Sequence, residues 1–234
     1  MINIGKNNVV SASVKSFSSA QYTHAELDDI NFELSDDIII SAMDPNYKTD
    51  TARLDFERKL VDIIPSEKRV IYISTLRLIE DDFQKLIYCK NKYKIEKLFY
   101  ESFPNLVILR LPIVISINYL GKSNFQEIFQ SNLKNNVIKF DVPKYSKYNF
   151  LTETDMTINF KKLIQLDNRV IKNIYNKDWY TASQISRYFS QRDKTLTTKY
   201  GNGTPSYSMV LDHGKMQNGF IISKSNFELG LLNA

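Results

Sequence analysis

Cysteine, histidine, glycine and proline are all scarce in this sequence. Of its 234 residues, one is cysteine, two are histidine, seven are glycine and six are proline. A single cysteine, Cys89, excludes an internal disulfide framework and points to a reducing compartment. Cys89, His24 and His213 are too few soft ligands for a zinc site, so no metal is expected. No window reaches the roughly 18 apolar residues of a membrane span. The opening Met-Ile-Asn-Ile-Gly-Lys lacks the apolar region of a secretory signal. Low-complexity tracts, internal repeats and flexible linkers are missing as well. These absences lead to the expectation of a cytoplasmic protein without a membrane partner.

What remains can build a core. Hydrophobic residues make up 43% of the chain and aromatic residues 12%, which argues against wholesale disorder. The length suits one large domain, or one domain with an appended lobe. The net charge of +5 comes from 31 basic residues set among 26 acidic ones. A basic excess spread in this way reads as solvated surface, and nucleic acid is not the expected partner.

The chain is organised around residues 69–116. Val70-Ile71-Tyr72-Ile73 is an apolar strand that ends in Ser74-Thr75. A helix over 86–103 holds Tyr88, Lys92 and Glu96, followed by a second strand, Leu106-Val107-Ile108-Leu109-Arg110-Leu111-Pro112. Upstream, 2–4 reads as a first strand and Gly5-Lys6-Asn7-Asn8 as the turn before a helix over 12–17. Residues 18–35 have room for short strands near Gln21-Tyr22-Thr23 and Ile30-Asn31-Phe32, but for no proper helix. Residues 37–43, ending at Ala42 and Met43, form a buried apolar strand. An amphipathic helix over 49–64 follows and is stopped by Pro65. Alternating strands and helices of this kind argue for a parallel sheet with right-handed crossovers. Downstream come helices over 124–132 and 156–166, strands over 137–140 and 170–175, and a helix opening near Thr181.

Tyr88 and Lys92, four apart on a helix, share one face and can enter one pocket. A second pair, Tyr93 and Lys97, has the same spacing but lies about 140° further round the helix, so both pairs cannot serve one site. A strand ending in Ser74-Thr75, the Tyr88-x-x-x-Lys92 helix, and a strand ending in Leu109-Arg110-Leu111-Pro112 resemble the catalytic half of an extended short-chain dehydrogenase/reductase. Within that superfamily the sequence is similar to the nucleotide-sugar epimerases, dehydratases and ketoreductases, dehydrorhamnose-reductase-like members above all.

That resemblance implies an α/β fold, a Rossmann-like doubly wound parallel sheet abbreviated at its cofactor edge, with a small C-terminal α/β substrate lobe. It places a dinucleotide-binding core at 1–115 and a mainly substrate-binding lobe at 116–234, with some elements of the lobe returning to the core. The implied activity is hydride transfer between NAD or NADP and a nucleotide sugar, as a ketoreductase or epimerase in surface-polysaccharide synthesis. Tyr88 would be the acid/base, with its phenol favoured as phenolate by Lys92, which also orients the nicotinamide ribose. Thr75, or Ser74 if the strand ends one residue earlier, would donate to the substrate oxygen. Gly5, Lys6, Asn7, Asn8, Ala42, Lys92 and Pro112 would line the cofactor. Of the three glycines in the family's phosphate-binding turn only Gly5 is present, with Asn8 and Ser11 at the other corners. The family also implies a homodimer, with helices 49–64 and 86–103 forming a four-helix bundle between subunits. A second reading stays open, in which a degenerate member binds a nucleotide sugar or a protein partner without redox chemistry. Four other residues have local readings of their own. Asp155 reads as a helix cap, Arg110 as a strand-end residue or an ion-pair partner, and Trp179 with Tyr180 as core or as a base-stacking pair.

Overall fold

The computed structural model describes residues 1–5, 9–41, 54–80, 83–115, 136–166, 168–191, 194–203 and 219–222. Its centre is a parallel sheet of seven strands. In chain order these are β1 (Ile2–Ile4), β2 (Ala20–Tyr22), β3 (Asp37–Ile40), β4 (Arg69–Thr75), β5 (Leu106–Leu111), β10 (Val170–Asn176) and β13 (Gly219–Ile222). The sheet runs β13-β10-β5-β4-β3-β1-β2, so the strand order reverses between β1 and β3. A crevice at the carboxyl ends of the strands, at such a reversal, is where open α/β sheets bind ligands.

Strand alternation sorts the core into two layers. Ile38, Ile40, Val70, Tyr72, Leu106 and Ile108 pack under helices α2 (Asp55–Ile63) and α3 (Ile87–Ser102). Ile39, Ile71, Ile73, Val107 and Leu109 face the other way, toward α1 (Val9–Val14) and α4 (Glu153–Leu163). A strand buried on both faces must be apolar at consecutive positions, as the runs at 38–40, 70–73 and 106–109 are. On the C-terminal side, β6 (Ile113–Ile115), β7 (Val137–Phe140), β8 (Lys147–Tyr148), β9 (Phe150–Thr152), β11 (Tyr180–Thr181) and β12 (Thr197–Tyr200) form three two-stranded pairs. With α5 (Ala182–Ser190) they enclose a separate cluster that includes Ile138, Phe140, Phe150 and Ile185.

Several boundaries differ from the sequence reading. No strand forms at Ile30-Asn31-Phe32. The Asn31 side chain accepts the Glu33 N–H at 3.0 Å, and residues Phe32–Leu34 close a 3-10 turn. The sheet edge beyond β1 is therefore β2 alone, the abbreviation expected. The helix expected over 49–64 opens at Asp55, because Leu54 adopts a left-handed φ of 58°. α4 starts at Glu153, three residues before the expected position, because Thr152 and Asp155 make a capping box there. In it the Asp155 carboxylate accepts from Thr152 N at 3.0 Å and from Thr152 Oγ1 at 2.8 Å, so Asp155 is a cap. α1 also starts early, at Val9, and continues as a 3-10 turn to Phe17. The helix expected over 124–132 lies outside the described residues.

Candidate functional site

β4 and β5 run in register so that Ser74 faces Arg110 and Thr75 faces Leu111, next to Pro112. Thr75 ends its strand and caps a 3-10 turn, Leu76–Ile79, by accepting the Arg77 N–H at 3.4 Å. α3 crosses over this end of the sheet. Its first turn brings Tyr88 to Thr75, whose hydroxyl acts on the phenol and favours its ionised form. Ser74, one residue earlier, is buried, and its hydroxyl has no partner among the described residues. Thr75 is thus the hydroxyl residue that meets the tyrosine.

Tyr88 is half-buried. Burial and the neighbouring Cys89 push its phenol up to about 12, while the Thr75 hydroxyl and the Arg77 charge pull it down. The family resemblance assigned that charge to Lys92. Here the Arg77 charge also acts on the phenol, and it acts on the phenol of Tyr148 as well. Arg77 is itself held by Glu80, Nε to Oε1 at 3.1 Å. Nothing in the sequence singles Arg77 out among 31 basic residues, since its place depends on the turn that Thr75 caps.

Lys92 lies one helical turn below Tyr88 and is 4% exposed. Its Nζ donates to the Ile73 carbonyl at 2.9 Å and stands 4.7 Å from the centroid of the Tyr72 ring. Burial lowers its pKa to about 8, against the raising effect of Glu57 on α2 and of Glu96 and Cys89 on α3. One turn further on, Glu96 is clamped by Arg110, with Nε at 2.9 Å and the terminal nitrogen at 2.5 Å. Arg110 is therefore an ion-pair partner that ties α3 to β5. The other pair, Tyr93 and Lys97, is a surface cation–π contact with its nitrogen 5.8 Å from a ring that is 40% exposed.

Gly5 follows β1 with φ 125°, a conformation that a side chain resists, and its N–H donates to the Tyr22 carbonyl at 2.9 Å. Across the β1/β3 crevice, Ser41 donates from N to the Ile4 carbonyl and from Oγ to Asn3 Oδ1. Lys6, Asn7, Asn8, Ala42 and His213 lie outside the described residues. Trp179 packs against Tyr175, ring centroids 6.5 Å apart, and Tyr180 packs on Phe150, which places both among core aromatics.

No protein-family model matches the chain, and no curated protein matches it significantly. Solved structures do match. The dTDP-4-dehydrorhamnose reductase of Bacillus anthracis, in complex with NADP, is 13% identical over 100% of this chain and 98% of that one, with a TM-score of 0.73. The UDP-N-acetylglucosamine 4-epimerase of Methanobrevibacter ruminantium, in complex with UDP-N-acetylmuramic acid, is 14% identical over 99% and 95%, with a TM-score of 0.71. The L-threonine 3-dehydrogenase of Trypanosoma brucei is 14% identical over 98% and 93%, at 0.69. The chain has the Rossmann-like fold of these enzymes. At such identities the likeness concerns the fold alone, and the fold serves sugar nucleotides and an amino acid alike.

Proposed function

We propose that this protein is a member of the extended short-chain dehydrogenases/reductases and acts as an NAD(P)-dependent nucleotide-sugar ketoreductase or epimerase. The observation that carries this reading is the meeting of Thr75 and Tyr88, with the Lys92 ammonium one turn below them, at the carboxyl edge of a parallel sheet. Two of the fold neighbours named above act on nucleotide sugars, and one of those was solved with NADP.

The residues present suit a dinucleotide. Gly5 gives a positive-φ turn at the strand-order reversal, where backbone can approach a pyrophosphate closely. Gly5 and Lys92 would hold the cofactor, with Pro112 beside them and Lys6, Asn7, Asn8 and Ala42 assigned by the resemblance. NAD(P), when bound, supplies or accepts the hydride. Everything else falls to the protein. With its phenol held up to about 12, Tyr88 is protonated at neutral pH and can donate to an oxygen that gains electrons, as reduction of a ketone requires. Thr75 donates to the same oxygen and steadies the charge forming on it. Arg77 keeps the phenol from becoming a still weaker acid.

Replacing Tyr88 by Phe should lower turnover by about 10²- to 10⁴-fold while dinucleotide binding stays at the wild-type level. Turnover retained in that variant would sink the assignment of Tyr88. Residues 1–115 would form the cofactor core and 116–234 mainly the substrate lobe, acting in the cytoplasm, where the buried thiol of Cys89 stays reduced. Surface-polysaccharide synthesis is the setting we infer from the substrate class. The subunits would pair through α2 and α3, whose outer side carries Ile87, Tyr93 and Tyr100, each 40–41% exposed.

A further inference from the structure

Tyr72 reads in the sequence as one more core residue in an apolar strand, and its surroundings set it apart. Its ring is 1% exposed and lies edge to face against Phe99, centroids 5.0 Å apart at 86°. Phe99 is in turn held by Phe103 at 5.5 Å. The aromatic stack thus fixes the plane of the Tyr72 ring. Over that plane, at 4.7 Å, stands the Lys92 ammonium, also donating to the carbonyl of Ile73, the next residue on the strand. The Tyr72 hydroxyl, by contrast, has no hydrogen-bond partner among the described residues.

We propose that Tyr72 is a positioning residue for Lys92, and that it acts through the face of its ring and not through its hydroxyl. A buried ammonium without a counter-surface would give up its proton or swing toward water. Glu57 on α2 and Glu96 on α3 favour the charged form, but Glu96 is already committed to Arg110. The Tyr72 ring supplies a desolvated π-face, the environment in which a cation–π contact is strongest. Together with the Ile73 carbonyl it fixes the lysine head from two directions on one strand. The same strand ends at Thr75, so the strand that presents the hydroxyl residue also holds the lysine. The consequence for catalysis rests on the function proposed above; the positioning itself does not.

The groups facing the Lys92 amine are the Tyr72 ring and the Ile73 carbonyl from β4, Glu57 from α2, and Cys89 and Glu96 from α3. The test is NMR of the whole protein with ¹³C-labelled lysine, the Lys92 signal being assigned by its loss in Lys92→Arg. In the wild type its ε-methylene protons should resonate upfield of ordinary lysine, because the nitrogen they adjoin stands over a ring face. The amine should titrate at the same pH in wild type and in Tyr72→Phe, which keeps the ring. In Tyr72→Leu the midpoint should fall by about one unit or more, since losing the π-face disfavours the cation. Ordinary proton shifts in the wild type, an unmoved midpoint in Tyr72→Leu, or an equal fall in Tyr72→Phe would each overturn the proposal. If Tyr72→Leu does not fold, the wild-type shifts and the Tyr72→Phe titration decide. None of these signals depends on turnover. A lysine held as proposed in a protein without turnover would therefore refute the reaction alone.

Discussion

Lys92 carries its charge inside the protein, and burial is the largest influence on it, lowering its pKa from 10.5 to about 8. Below about pH 8 both the folded and the unfolded chain hold the proton, so the fold bears the full cost of burying the ammonium. Between about 8 and 10.5 the folded chain has released the proton and the unfolded chain has not. Unfolding then takes up a proton, and stability rises with pH across that window. Compared with Lys92→Met, the wild type should gain up to a few kcal/mol between these limits, read as the difference in unfolding free energy by urea titration. A difference that is flat or falls with pH would mean that the lysine titrates normally. Tyr72 and Arg77 belong to the same scale, and neither was legible beforehand. Tyr72 looks like core because its neighbours in the apolar run of β4 do, while the charge of Arg77 reaches Tyr88 only through a turn capped by Thr75. Thr75, Tyr88 and Lys92 were legible, because one spacing on one helix places two of them on a common face.

At the scale of elements, α3 is attached to the sheet by a bidentate ion pair. Glu96 is 4% exposed at its side chain and Arg110 16%, and their two contacts join the helix to β5. Arg110→Met should cost about 3 kcal/mol in urea unfolding, because it leaves a buried carboxylate without its guanidinium. The double variant Glu96→Leu/Arg110→Met should recover most of that loss. A loss below about 1 kcal/mol in the single variant would place the pair among surface ion pairs of little worth. The elements themselves were readable wherever burial leaves a periodic mark, as in β3, β4, β5 and α3. They were misread where one local contact decides. The Asn31 side chain turns an expected strand into a 3-10 turn, Leu54 delays α2 to Asp55, and the Thr152–Asp155 box starts α4 at Glu153. None of these leaves a trace in hydrophobic periodicity.

For the whole molecule, the strand order β13-β10-β5-β4-β3-β1-β2 brings Gly5 at the reversal and Thr75 at the end of β4 to the same edge of one sheet. The abbreviated side beyond β1 and the single glycine of the phosphate turn are where a reading without redox chemistry draws its support. Pairing of two subunits through α2 and α3 predicts a dimer in sedimentation velocity at micromolar concentration. Tyr93→Asp, on the exposed side of α3, should shift it toward monomer, and a wild-type monomer at that concentration would contradict the pairing. The central claim is that this edge takes a nicotinamide dinucleotide, and calorimetric titration of the folded protein with NAD⁺, NADH, NADP⁺ and NADPH tests it most directly. At least one of the four should bind saturably and one to one, more weakly in Lys92→Met; no binding of any of them would contradict a dinucleotide site at this edge.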